Sequence, residues 1–207
     1  MSRITRAGLL AALSACALMA AGVAVAASKR VHLTGGTTTV TITPAAKSFL
    51  AKYGVGVSAI APATTSGGNT LSLPIKGGQL NPANLRGVVT HKGGIKFTKG
   101  KRVLAFRAVT INGTGKVAKV SAFALLRHRC GKAKHKVRYC FRAGRVVVAT
   151  LTNVQRPSVT PPGTIVATAD LKLSNGAAKA INERLGKHVV NGGTVFASGA
   201  LNATTAP

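Results

Sequence analysis

From Gly36 onward the chain is a succession of short β-branched segments in which polar and apolar residues alternate. Gly36-Thr37-Thr38-Thr39-Val40-Thr41-Ile42-Thr43 is the clearest of them. A period of two sends successive side chains to opposite faces of a pleated strand, a pattern no helix accommodates. Similar segments recur at Val55–Ile60, Thr70–Ile75, Gly87–His91, Ile95–Thr98, Val103–Ile111, Lys116–Leu126, Arg145–Val154, Thr164–Leu173 and Val195–Leu201. Gly67-Gly68, Gly77-Gly78, Gly93-Gly94, Lys99-Gly100 and Asn112-Gly113 punctuate them, and Pro157, Pro161 and Pro162 mark a surface loop. Many short strands at such spacing predict a mainly β fold, an antiparallel β-sandwich-like domain.

Two short helices interrupt the pattern. Thr43 is placed to cap the first, with Pro44 at a position that needs no backbone N–H. Ala45, Ala46, Phe49, Leu50 and Tyr53 fall near one face, and Gly54 stops it. Asn175 is placed to cap the second, Ala177–Leu185, which Gly186 closes. The two regions echo each other: Thr-Val-Thr-Ile-Thr then Pro-Ala-Ala-Lys, and Asp-Leu-Lys-Leu-Ser then Asn-Gly-Ala-Ala-Lys. Each is a strand, a cap and a short helix.

The N-terminus has the three parts of an export signal. Arg3 and Arg6 precede an uncharged apolar run, Ala7 to Val25, and Ala24-Val25-Ala26 supplies a small-x-small cleavage site. Residues 1–26 therefore read as a signal peptide and 27–207 as a single domain that is secreted or held at the cell surface. Leu13-Ser14-Ala15-Cys16 offers a minor alternative in which Cys16 is lipidated.

Charge narrows the choice of partners. The chain carries 29 Lys and Arg against two carboxylates, Asp170 and Glu183, for a net charge of +27. A field of that sign favours polyanions such as anionic cell-envelope polymer. Specific nucleic-acid binding is not expected, since aromatic residues for base stacking make up only 4% of the chain. The same acid count argues against hydrolysis: a strand aspartate and a helix glutamate form no obvious carboxylate pair. Gly-x-Ser-x-Gly, Walker, Gly-x-Gly-x-x-Gly and His-Glu-x-x-His motifs are absent. No catalytic residue is assigned, and a non-enzymatic role is expected.

Cys130 and Cys140 bracket Gly131–Tyr139, a length suited to a hairpin tip. In an exported protein they are expected to form a disulfide, contributing roughly 2–3 kcal/mol through closure of a short loop. A metal site from His128, Cys130, His135 and Cys140 is the competing reading. It is disfavoured by the cations around it and by Cys spacing wider than zinc sites prefer, so no metal is assigned. Within the same stretch Lys132, Lys134, Lys136 and Arg138 recur at every second residue. On one strand this spacing would present all four on one face as a polyanion contact.

The order of segments resembles the HtaA-type domains of secreted and surface proteins of actinobacteria. It runs from Thr-Val-Thr-Ile-Thr through Ala-Ala-Lys-Ser-Phe-Leu, a Gly-Val strand ending Ala-Pro-Ala, and Leu-Pro-Ile-Lys-Gly-Gly. Leu85-Arg86-Gly87-Val88-Val89-Thr90-His91-Lys92-Gly93-Gly94-Ile95-Lys96-Phe97 and the closing strand–helix unit complete it. The resemblance implies a β-rich domain that binds haem through a tyrosine with a supporting histidine. The matching positions are Tyr53, after Ser48-Phe49, and His91, in the frame Gly87 to Ile95. The chain departs from the family in lacking tryptophan and in carrying one residue more before Tyr53. The expected function is thus non-catalytic binding at the cell envelope, with haem as ligand and cofactor. Adhesion of a cationic structural protein to anionic wall polymer is the alternative.

Overall fold

A computed structural model describes residues 30–133, 136–155, 158–160, 163–186 and 189–206; the side chains of 127–130, 132–133, 136–139, 141 and 159–160 lie outside that description. Twelve strands and two helices follow in the order β1 (Val31–Ile42), α1 (Pro44–Lys52), β2 (Gly56–Ile60), β3 (Thr64–Ser66), β4 (Thr70–Leu80), β5 (Gly87–His91), β6 (Gly94–Lys99) and β7 (Arg102–Asn112). They continue with β8 (Lys119–Ala133), β9 (Lys136–Thr152), β10 (Ser158–Thr160), β11 (Thr164–Leu173), α2 (Asn175–Leu185) and β12 (Val195–Thr205). The fold is mainly β and antiparallel with two short helices, as the alternation predicts.

The sheet closes on itself. Its order runs β7-β5-β4-β1-β12-β11-β9-β8, and β8 returns to pair with β7, so eight strands form a ring around a common interior. Closure leaves these strands no open edge along most of their length. β7 takes part twice. Residues Arg102 to Arg107 pair with β6, which carries β2 on its far side, while Thr110 to Asn112 pair with β5. The hand-over falls where the β7–β8 register shifts between Arg107 and Thr110, and Ala108 there has a positive φ of 50°. A bulge of this kind bends the strand and leaves its residues out of the ladder.

Gly77 and Gly78 differ from the sequence expectation. The pair lies within β4, which runs on to Leu80, and marks a register shift rather than a turn. At Gly78, with φ of 145°, a Cβ would stand 2.1 Å from the Val88 carbonyl oxygen. Only glycine lets β5 approach so closely.

Both helices leave the same end of the ring. β1 and β11 flank β12 antiparallel, so they run in one direction, and each ends in a hydroxyl cap. Thr43 Oγ1 accepts from the Ala46 N–H, and Ser174 Oγ accepts from the Ala177 N–H. The cap of the second helix is therefore Ser174, with Asn175 as its first residue. The strand–cap–helix echo in the sequence is a structural repeat of local chemistry. α2 buries Ala177, Ala178, Ala180, Ile181 and Leu185 against β6 to β9, whereas α1 buries only Leu50.

Two clusters fill the interior. The larger joins Val40, Leu71, Leu73, Phe97, Leu104, Phe106, Val120 and α2. The smaller, of Leu33, Ile75, Leu80, Val89, Ile165 and Ala203, lies toward the other end. Phe97 and Phe106 meet edge to face at 5.8 Å, a favourable arrangement of ring quadrupoles.

Candidate functional site

The ring encloses a cavity of about 580 Å³ that opens to solvent. Its origin lies in side-chain size. An eight-stranded barrel is just wide enough for inward side chains to fill it or to leave room for one small ligand. Here small residues line much of the wall: Ala167, Ala169 and Gly199 from β11 and β12, and Val40, Val89, Val109, Val120 and Val148 from five other strands. At the opening the β4–β5 connection contributes Asn84, Leu85 and Arg86, the β7–β8 connection Gly113, Gly115, Lys116, Val117 and Ala118, and the segment after β9 Val154. Arg86 and Lys116 are exposed at this mouth, as are Val117 and Val154 at 48% and 47%.

Thr38 and His91, the two buried polar side chains among the described residues, face each other on the cavity wall. His91 is only 4% exposed, and its Nε2 lies 2.7 Å from Thr38 Oγ1. Its Nδ1 lies 3.1 Å from the Val109 carbonyl oxygen, one of the groups that the β7 bulge takes out of the ladder. A carbonyl can only accept, so Nδ1 carries the proton and Nε2 accepts from the Thr38 hydroxyl. Burial pushes the imidazole below its usual range, and the Val109 hydrogen bond opposes this only in part. The ring is neutral at pH 7, with both nitrogens occupied.

The structure therefore separates the two residues that the family resemblance matched. His91 sits in the barrel wall. Tyr53 caps the C-terminus of α1, packs half-buried against the larger cluster and is not among the cavity-lining residues. Its ring lies 5.0 Å from that of Phe49. No described residue hydrogen-bonds its hydroxyl. α1 leaves the ring at the end where Ile42 pairs with Ala197, whereas the mouth lies at the opposite end, where Val31 pairs with Leu80.

The basic stretch takes a different form from a one-strand ladder. β8 and β9 pair antiparallel as far as Ala133 opposite Lys136. Lys132 belongs to β8, Lys136 and Arg138 to β9, and the four cations do not share a strand. Lys134 and His135 lie outside the described residues, as do the side chains of Lys132, Lys136, Arg138, His128 and Cys130. In the backbone register His128 stands opposite Cys140, and a shift between Arg129 and Gly131 brackets Cys130. Beyond Phe123 and before Ala149 neither strand pairs with a third; Ala124, Leu126, Val146 and Val148 still pack with the larger cluster, and the hairpin beyond them continues as a two-stranded arm.

Sequence reasoning did not find the cavity. Arg86 and Lys116 lie in loops, and the inward small residues are scattered along the chain from Val40 to Gly199. A weak signal was present in the Ala167-Thr168-Ala169 alternation and in Gly199, glycine being disfavoured inside a strand without a packing reason.

No protein-family model matches the sequence, and no curated protein matches it. Solved structures do resemble the fold. The C-terminal domain of HtaA from Corynebacterium glutamicum superposes with a TM-score of 0.60 at 16% identity, covering 85% of this chain and 99% of that one. Heme binding protein HtaB from the same organism gives 0.58 at 16% identity, covering 86% and 96%. The N-terminal domain of HtaA gives 0.55 at 11% identity, covering 84% and 99%.

Proposed function

We propose, from the premise that this chain has an HtaA-type fold, that it is a non-catalytic binding protein which takes haem through the phenol of Tyr53. The observation that carries this reading is the likeness to HtaB, a haem binding protein, over nearly the whole of both chains. The donor chemistry agrees. Tyrosine oxygen is one of the side-chain groups that hold haem iron, and the Tyr53 hydroxyl has no hydrogen-bond partner among the described residues. Phe49 offers an adjoining ring, and Lys47 and Lys52 on α1 supply positive charge near a ligand that carries carboxylates. His91 does not fit as a direct partner, since Thr38 and Val109 occupy both of its nitrogens. When bound, haem would contribute its iron as a Lewis acid; Tyr53 would hold it and α1 would orient that oxygen. Reading residues 1–26 as an export signal supports a role outside the cytoplasm, as part of the same proposal.

Titration of haem into the purified chain, followed in the Soret region, tests it. One-to-one saturation is expected, lost in Tyr53→Phe and retained in His91→Asn. An unchanged titration in Tyr53→Phe would overturn the assignment.

A further inference from the structure

We infer that the barrel lumen is a second binding site, for an amphipathic anion whose apolar tail enters the ring while its charged head remains at the mouth beside Arg86 and Lys116. Volume comes first. A cavity of about 580 Å³ is within the range of small-molecule sites, roughly 300–1,000 Å³. Its shape follows from the ring: a lumen running inward from one mouth suits an extended chain.

Polarity sets the class of tail. The lumen wall is mainly aliphatic, and its buried polar pair, Thr38 and His91, is satisfied internally. A polar solute entering that depth would give up its water and find no free partner. An alkyl chain would give up no hydrogen bonds and would remove apolar wall from water. Exposed Val117 and Val154 extend the apolar surface to the rim.

Charge sets the head. Arg86 and Lys116 line the mouth, and neither carboxylate of the chain, Asp170 or Glu183, lines any part of the cavity. A carboxylate or a phosphate monoester satisfies this mouth equally; a cationic head does not. The site is distinct from Tyr53, which stands toward the opposite end of the ring, so it does not rest on the haem reading.

The test uses the full chain and dansyl-labelled undecanoate as a fluorescent probe. We expect saturable enhancement, displaced by palmitate and by dodecyl phosphate, with the stronger competitor identifying the source of the head group. Hexadecanol should compete less well. Ala167→Leu, which places a side chain in the lumen, should weaken the probe about tenfold or more, equivalent to ~1.4 kcal/mol, while the variant melts at or above the parent temperature. Ala169→Val serves if that variant fails to fold. Replacing both Arg86 and Lys116 by Gln should weaken palmitate and leave hexadecanol unchanged. Tyr53→Phe should leave probe binding intact, and haem should not displace the probe. No enhancement in the parent, indifference to Ala167→Leu, or equal loss of acid and alcohol in the double variant would each overturn the inference. Displacement by haem together with a Soret band lost in Ala167→Leu would also overturn it, making the lumen the haem site.

Discussion

At the scale of single residues, His91 shows how a strand position acquires its chemistry from distant neighbours. Thr38 lies on β1 and Val109 on β7, and only ring closure brings both to one imidazole. The pair can remain dry because each polar atom has a partner. It also makes stability depend on pH. The folded state depresses the His91 pKa, so below the ordinary imidazole value of about 6.5 the unfolded chain binds a proton that the folded chain refuses. Stability should therefore be complete above that value and fall as pH drops through it. Melting temperatures across this range should show the loss, and His91→Gln should flatten the dependence while lowering stability at pH 7. A parent protein whose melting is insensitive to pH there would show that His91 titrates alike in both states.

At the scale of elements, the two strand–cap–helix units separate local chemistry from packing. Each hydroxyl does two jobs. Thr43 Oγ1 accepts from Ala46 N–H and donates to the Phe196 carbonyl; Ser174 Oγ accepts from Ala177 N–H and donates to the Val147 carbonyl. The caps are equivalent in kind, but the helices are not. α2 buries five side chains against four strands, whereas α1 buries one. Removing a cap costs ~0.5–2 kcal/mol. In urea unfolding, Ser174→Ala should fall near the upper end, because fraying of α2 uncovers core, and Thr43→Ala near the lower end. Equal losses would mean that α2 packing does not depend on its first turn. The echo was legible as sequence because a hydroxyl followed by a helical turn is local. The actual α2 cap is Ser174, one residue before Asn175, because Ser174 also reaches the neighbouring β9 carbonyl.

At the scale of the whole molecule, the described chain divides into a closed ring and a projecting arm. A lone two-stranded ribbon is marginal in water, and this one carries many cations. The expected Cys130–Cys140 cross-link would hold such an arm together. In the register Cys140 stands opposite His128, and Cys130 lies two residues further along, at the irregularity between Arg129 and Gly131. Peptide mapping without reduction should recover Cys130 and Cys140 in one linked fragment, and reduction should lower stability by roughly 2–3 kcal/mol. Two alkylatable thiols in oxidised protein would rule the cross-link out. The cations on the arm are better regarded as a distributed charge, since Lys132 lies on β8 and Lys136 and Arg138 on β9.

The sequence by itself determined the strand character of the chain, most strand positions, both helices and the antiparallel class. These follow from alternation, glycine punctuation and hydroxyl caps, all of which act within a few residues. It also determined the sign of the field around the protein, because charge is a sum over composition. The tertiary structure alone decided that the sheet closes, that Gly77-Gly78 is a close approach inside a strand, and that the basic stretch is folded back on itself. It alone decided that His91 and Tyr53 stand apart, and that small residues from β11 and β12 leave a lumen with Arg86 and Lys116 at its mouth. Closure, the surroundings of His91 and the lumen depend on which distant strands become neighbours, and that is set by the packing of the whole interior rather than by any local pattern; β4–β5 and β8–β9 are consecutive pairs whose register the alternation alone leaves open.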